Sequence, residues 1–172
     1  YQMPKETAEA LEGGWFHTGD IGHLDSEGFL HITDRKKDII VTSGGKNVAP
    51  QKIENIASSQ PWITHFVVHG DRRNYLTALV NLDREKVIRY ANEHQILFSE
   101  YSELVKHPKI LSLTKKVIDE INQHLAGFET IKKFVILPND FSVESGELTP
   151  SLKVRRSFIN KRYKAELDSM YG

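Results

Sequence analysis

The residues best suited to chemistry are few and widely spaced. Lys153 stands between Pro150 and an amphipathic terminal segment. A lysine carried on such a loop is a mobile point charge that suits a phosphate or a carboxylate, as phosphoryl and adenylyl transfer require; a solvated surface lysine is the simpler alternative. Asp20 follows Thr18-Gly19, and a carboxylate beside a small-residue turn either accepts hydrogen bonds from two ribose hydroxyls or serves only as a turn residue. His65 and His69 would share a face if their segment is a strand. No acidic or thiolate ligand lies at metal-site spacing from them and His-Glu-x-x-His is absent, so satisfied structural histidines are expected and no metal ligand is assigned. The chain also lacks a Gly-x-Ser-x-Gly elbow and a phosphate loop ending in Gly-Lys-Ser or Gly-Lys-Thr, which leaves hydrolase and NTPase chemistry without support.

A longer candidate runs from Asp34 to Asn47. The charged knot Asp34-Arg35-Lys36-Lys37-Asp38 meets the β-branched run Ile39 to Thr42, which ends in Ser43-Gly44-Gly45-Lys46-Asn47. Paired glycines between extended segments suit a hairpin turn, because glycine takes positive φ without steric penalty. Five consecutive ionisable residues resist burial, so the knot is expected at a surface or in a wet cleft between two bodies. Taken alone, the stretch reads as a solvated connector beside an ordinary hairpin.

The elements that must carry these residues follow from apolar spacing. A short helix is expected over Lys5 to Leu11. Turn residues then alternate with short apolar runs as far as Thr33, like the edge of a larger β-rich body. Pro50 opens a helix that ends near Ser59, ahead of Pro61. Ile63 to His69 and Leu76 to Leu82 form an antiparallel strand pair across a polar turn. Asp83 caps a helix that reaches about His94. Pro108 opens the clearest helix, with Ile110, Leu113, Thr114, Val117, Ile118, Ile121 and Leu125 on one stripe. Phe134 to Leu137 is a third buried strand, and Ile159, Tyr163 and Leu167 mark a final amphipathic helix. The expected class is α+β: a small domain with a central three-stranded sheet, flanking helices and a β-hairpin, preceded by a β-rich remnant.

Composition narrows the rest. Over 172 residues, 23 basic and 23 acidic side chains cancel, and the basic pairs are scattered among acids, so no nucleic-acid partner is expected. Without cysteine there are neither disulfides nor thiolate metal sites. No apolar run approaches the roughly 20 residues that span a bilayer. The opening Tyr1-Gln2-Met3-Pro4 lacks the look of a natural start, and a chain cut from a longer protein is the expectation.

Four stretches are informative together: Gly14-Trp15-Phe16-His17-Thr18-Gly19-Asp20, Asp34 to Asp38, Ser43 to Asn47, and Leu148-Thr149-Pro150-Ser151-Leu152-Lys153-Val154-Arg155-Arg156. In this order they closely resemble the carboxy-terminal motifs of the adenylate-forming enzymes, and their wording is most similar to the AMP-forming long-chain fatty acid:CoA ligases. The resemblance implies residues 1–36 as the end of the amino-terminal adenylate-binding domain and 37–172 as the mobile carboxy-terminal domain. It implies nucleotide contacts at Asp20, on the ribose, and at Arg35. It implies a hinge at Lys37, a pantetheine-proximal loop at Ser43, Gly44 and Gly45, and an adenylation lysine at Lys153.

The activity so implied is ATP-dependent adenylation of a fatty acid followed by thioester formation on CoA. ATP, Mg²⁺, CoA and a fatty acid would be the small molecules, and the chain's own amino-terminal domain its partner. The implied location is the cytoplasm, with peripheral association of the full enzyme at a membrane as an option. A fatty acyl-AMP ligase, an acyl-carrier-protein synthetase and a non-catalytic binding module of the same fold remain the alternatives. Ser151-Leu152 departs from the Ser-Gly or Thr-Gly pair that many relatives of other substrate classes carry before the lysine.

Overall fold

In the computed structural model, which describes residues 2–172, the chain divides into one unit that ends at Ile39 and a second, Ile40–Gly172. The first opens with α1 (Pro4–Ala10), whose proline occupies the first turn, where no backbone N–H is needed. Strands β1 (Asp20–Leu24) and β2 (Leu30–Arg35) then pair antiparallel with a bulge between Ile21 and Gly22. Asp25 closes their turn by accepting hydrogen bonds from the amides of Glu27 and Phe29, each at 2.9 Å, with Gly28 at φ +86°. Among the described residues of this unit only Asp34 is buried, while Trp15, Phe16, Leu24 and Phe29 are exposed.

That burial corrects the expectation for the charged knot. Arg35, Lys36 and Lys37 are exposed, but Asp34 is only 6% exposed. Its Oδ1 accepts the Arg35 backbone N–H at 2.6 Å, and a carboxylate tolerates leaving water when backbone donors replace its hydration.

The second unit begins with a two-residue hairpin, β3 (Ile40–Val41) and β4 (Asn47–Val48), followed by α2 (Pro50–Ser58). Strands β5 (Ile63–His69) and β6 (Leu76–Leu82) pair antiparallel, and β7 (Ile131–Ile136) joins β6 in parallel, giving the order β5-β6-β7. A parallel neighbour needs a long crossover. It is made by α3 (Arg84–Glu93), the short α4 (Tyr101–Leu104) and α5 (Pro108–Gln123). Asp83 caps α3 as expected, accepting the Lys86 N–H at 3.1 Å.

Because side chains alternate across a strand, the sheet faces two cores. Phe66, Val68, Ala78 and Val80 pack with Ile53, Val87, Val117 and Ile121 of α2, α3 and α5. Val67 and Leu79 point the other way, into a cluster with Leu137, Phe141, Leu148, Ile159 and Leu167. The two last belong to α6 (Arg156–Arg162) and α7 (Lys164–Ser169), where a single helix was expected. The break falls at Tyr163, whose hydroxyl donates to Glu147 at 2.9 Å. Among the described residues no helix is long and apolar enough to cross a membrane.

Glu147 is 1% exposed and also accepts hydrogen bonds from the Ser145 hydroxyl and, at 3.3 Å, an ion pair from Arg162. Burial pushes its pKa up, yet the Ser145 hydroxyl, the Glu147 and Ser142 backbone donors and the Tyr163 hydroxyl together outweigh this and hold it below the ordinary glutamate value of 4.5. A carboxylate with a depressed folded pKa contributes stability above its unfolded pKa and loses it as pH falls through the folded one. Glu147→Gln should therefore unfold at lower urea than the parent at neutral pH, and the gap should narrow as pH drops below 4.5. A gap that stays constant down to about pH 3 would rule out this linkage.

Candidate functional site

In the first unit the ladder brings two candidates together. Asp20 opens β1 and Arg35 closes β2, and the register pairs them directly, with Arg35 Nε 3.3 Å from Asp20 Oδ1. The Asp20 amide donates to Thr18 Oγ1 at 3.1 Å, and Gly19 at φ +76° lets the chain turn into the strand. Exposed ion pairs of this kind add little stability. A carboxylate acceptor and a guanidinium donor therefore stand side by side in water, ready for a ligand that offers hydroxyls and an anion. Lys37 follows in the single helical turn Lys36–Asp38.

The second unit positions Ser43, Gly44 and Gly45 at the tip of the β3–β4 hairpin. The Ser43 amide donates to the Arg73 carbonyl at 3.0 Å and its hydroxyl to Asn74 Oδ1 at 2.6 Å. The Arg72 amide bonds Val41 O at 2.8 Å, so the hairpin is fixed along the turn that joins β5 to β6. Thr42 closes the loop from within, its carbonyl taking the Gly45 N–H at 2.9 Å and its hydroxyl the Lys46 N–H at 3.2 Å. Gly45 lies at φ +72°, a left-handed conformation that favours glycine. Gly44 has no such need: a methyl group there would meet only Thr42 Oγ1, at 4.0 Å.

Lys153 is exposed on a tight loop that returns on itself through the bridge Leu148↔Val154. Thr149 holds the loop, its amide donating to Lys153 O at 2.8 Å and its hydroxyl accepting the Lys153 N–H at 3.0 Å. Among the described residues the Lys153 ammonium makes no hydrogen bond or ion pair. Arg155 donates to Glu147 O and Gly146 O, at 2.8 and 3.1 Å.

Just past the loop, Arg156 forms a two-point ion pair with Glu54 of α2, at 2.7 and 2.8 Å, and bonds Val68 O of β5 at 2.9 Å. Sequence reasoning missed this pair, because 102 residues separate its members and no local pattern links them. Of these histidines, His69 lies edge-on to the Tyr171 ring, 6.0 Å between centroids, whereas His65 Nδ1 is buried without a partner among the described residues, which corrects the expectation that it is satisfied. Burial lowers the pKa of each.

These two loops and the sheet beneath them match a known pattern. The family model described as AMP-binding enzyme C-terminal domain covers residues 37–172. The chain belongs to this family. It is 37% identical over 173 residues to the long-chain-fatty-acid–CoA ligase FadD15 of Mycobacterium tuberculosis, a match over 100% of this chain and 29% of that protein. With the long-chain-fatty-acid–CoA ligase ACSBG2 of Mus musculus it shares 39% identity over 184 residues, 96% of this chain and 28% of the other. The chain thus spans under a third of the length of these relatives. Among solved structures, the A domain of carboxylic acid reductase from Segniliparus rugosus in complex with AMP and a carboxylic acid superposes with a TM-score of 0.82 at 25% identity, over 99% of this chain and 26% of that one.

In this AMP-binding enzyme C-terminal domain Leu152, beside the lysine, sits at φ +59° and is 70% exposed. A left-handed leucine costs about 1–2 kcal/mol, and a glycine there would lose roughly 0.5–1 kcal/mol through the freer unfolded chain. Leu152→Gly should therefore leave stability unchanged or raise it by up to about 1.5 kcal/mol, despite removing a four-carbon side chain. A fall of more than about 1 kcal/mol in urea unfolding would show that the leucine makes contacts that outweigh its strain.

Proposed function

We propose that the chain is the carboxy-terminal part of an AMP-forming long-chain fatty acid:CoA ligase, which activates a fatty acid as its adenylate and then transfers it to CoA. The observation that carries this reading is the likeness, over 96–100% of this chain, to two long-chain-fatty-acid–CoA ligases, in a chain that presents on a braced loop a lysine unpaired among the described residues. In this reading Lys153 stabilises the charge that develops when the carboxylate attacks the α-phosphate of ATP. Asp20 takes the ribose hydroxyls and Arg35 the nucleotide anion.

Residues 1–36 belong, in the same reading, to the amino-terminal adenylate-binding domain, and 37–172 form a domain that turns about Lys37. Rotation would withdraw Lys153 after adenylation and bring the Ser43-Gly44-Gly45 loop to the pantetheine arm of CoA. The open space at Gly44, unneeded by its own turn, supports a close approach of that kind. Among the described residues no three metal-ligating side chains gather, so the Mg²⁺ that accompanies ATP is not assigned to this chain.

Two substitutions in the full-length ligase test the division of labour. Lys153→Ala should slow adenylation by about 100-fold or more while sparing thioester formation from supplied acyl-adenylate, with the isolated chain, inactive in both, as baseline. Equal loss in the two half-reactions would overturn the assignment. Lys37→Pro fixes φ near −65°, a value that the helical turn Lys36–Asp38 accepts, so it restricts rotation rather than the conformation seen. It should leave adenylation intact and impair the second step; an unimpaired second step would remove the hinge from Lys37.

A further inference from the structure

The bonds that shape the Lys153 loop do not by themselves fix where it stands. Thr149 to Lys153, Leu152 to Thr149 and Leu148 to Val154 are all internal to it. They would survive if the loop tilted as a body. On the amino-terminal side buried Leu148 roots it in the core, helped by the bond from Arg155 to Glu147 O. On the carboxy-terminal side, Arg156 is the first residue after Lys153 whose side chain reaches the central sheet. It does so directly, at the Val68 carbonyl, and Glu54 of α2 holds it there.

We propose that Glu54 is a positioning residue for Lys153, acting through Arg156; the proposal rests on the adenylation role assigned to Lys153 above. Glu54 Oε1 accepts the Val68 N–H at 2.8 Å, and Arg156 donates to the Val68 carbonyl at 2.9 Å. The carboxylate and guanidinium together therefore occupy both backbone groups of one residue on β5, the outer strand of the sheet. Their side chains are only 11% and 18% exposed, and both short bonds between them come from one nitrogen, Arg156 Nη2, which spans the two carboxylate oxygens while Nη1 donates to the Val68 carbonyl. Three bonds thus tie the residue three places beyond Lys153 to both a helix and a strand, and a fourth ties Glu54 to that strand. A guanidinium held this way has no freedom to swing, and a displacement of about 1 Å at a catalytic group can lower a rate by about 100-fold.

Glu54→Gln keeps the shape and can still take the Val68 N–H, but it leaves Arg156 Nη2 one neutral acceptor oxygen in place of two charged ones and so loosens the pair. In the full-length ligase the variant should lower kcat for adenylation by about 10- to 100-fold and leave thioester formation from supplied acyl-adenylate within about threefold of the parent. Arg156→Lys retains the charge but has no second nitrogen to reach Glu54 and the Val68 carbonyl separately, and it carries the same test should Glu54→Gln fold poorly. A purely structural role would depress both half-reactions alike, and that outcome would overturn the proposal, as would unchanged adenylation in both variants. The decisive comparison adds Glu54→Gln to Lys153→Ala. If Glu54 acts through the lysine, the second substitution slows adenylation no further; independent, multiplying losses would overturn the proposal. Full adenylation by Lys153→Ala alone would instead overturn the assignment of the lysine, a failure distinct from that of the clamp.

Discussion

All seven residues of β6 are out of water, and the rest of the second unit follows from keeping them there. A strand with Leu76, Ala78, Val80 and Leu82 on one face and Thr77, Leu79 and Asn81 on the other cannot lie at a solvated surface; both faces need a cover. One is supplied by α2, α3 and α5, the other by α6, α7 and the segment around Leu137 and Phe141. Each polar member of the strand makes one side-chain hydrogen bond within that burial, and Asn81 Oδ1 is left without a partner among the described residues. Thr77 lies 3.0 Å from the Tyr171 hydroxyl, and Asn81 donates to Asn139 O at 2.7 Å. The carboxy-terminal helices are thus held against the sheet by hydrogen bonds as well as by packing.

That cover also creates the mountings for the candidate loops. The β3–β4 hairpin lies along the β5–β6 turn and leads through Val48 and Pro50 into α2. From α2, Glu54 reaches the Val68 amide on β5 and the Arg156 guanidinium beyond the Lys153 loop. Two loops far apart in the chain therefore share one support, the packed pair of α2 and β5. Arg73 extends it: the residue whose carbonyl holds Ser43 also forms an ion pair with Asp168 of α7 and lies 4.6 Å above the Tyr171 ring. Rigid mounting of mobile-looking loops is what a domain needs if it is to present different loops by turning as a whole.

Most of the scaffold was legible because its signals are local. Pro50 and Pro108 open helices, Asp83 caps one, and the apolar runs 63–69 and 76–82 coincide with paired strands. β7 begins at Ile131 rather than Phe134 because Lys132 and Lys133, exposed on an outer strand, interrupt the apolar run without interrupting the ladder. Where the outcome depends on groups distant in sequence, local reading fails. Asp34 is buried with the Arg35 N–H on its carboxylate, Tyr163 breaks a helix beside Glu147, and Glu54 meets Arg156 across most of the domain. Of the candidate site, the pairing of Asp20 with Arg35 could be inferred only once a register was known, since a slip of one residue would have sent the two side chains to opposite faces.

The two glycines of the hairpin tip look equivalent in the sequence, yet they stand there for different reasons. Gly45 adopts a left-handed backbone, and any other residue would carry strain. Gly44 does not, and space beyond its Cα is open. The turn could therefore accept a side chain at Gly44 without disturbing Thr42, Ser43 or the bonds to Arg73 and Asn74. A glycine that its own fold does not require fits a constraint from outside the hairpin, and the pantetheine arm of the proposed function would be a constraint of that kind. The same distinction applies to Leu152 in the opposite sense: there the backbone favours glycine and the chain carries leucine. Backbone demand and residue identity part company at these two positions, and both lie in the loops assigned to chemistry.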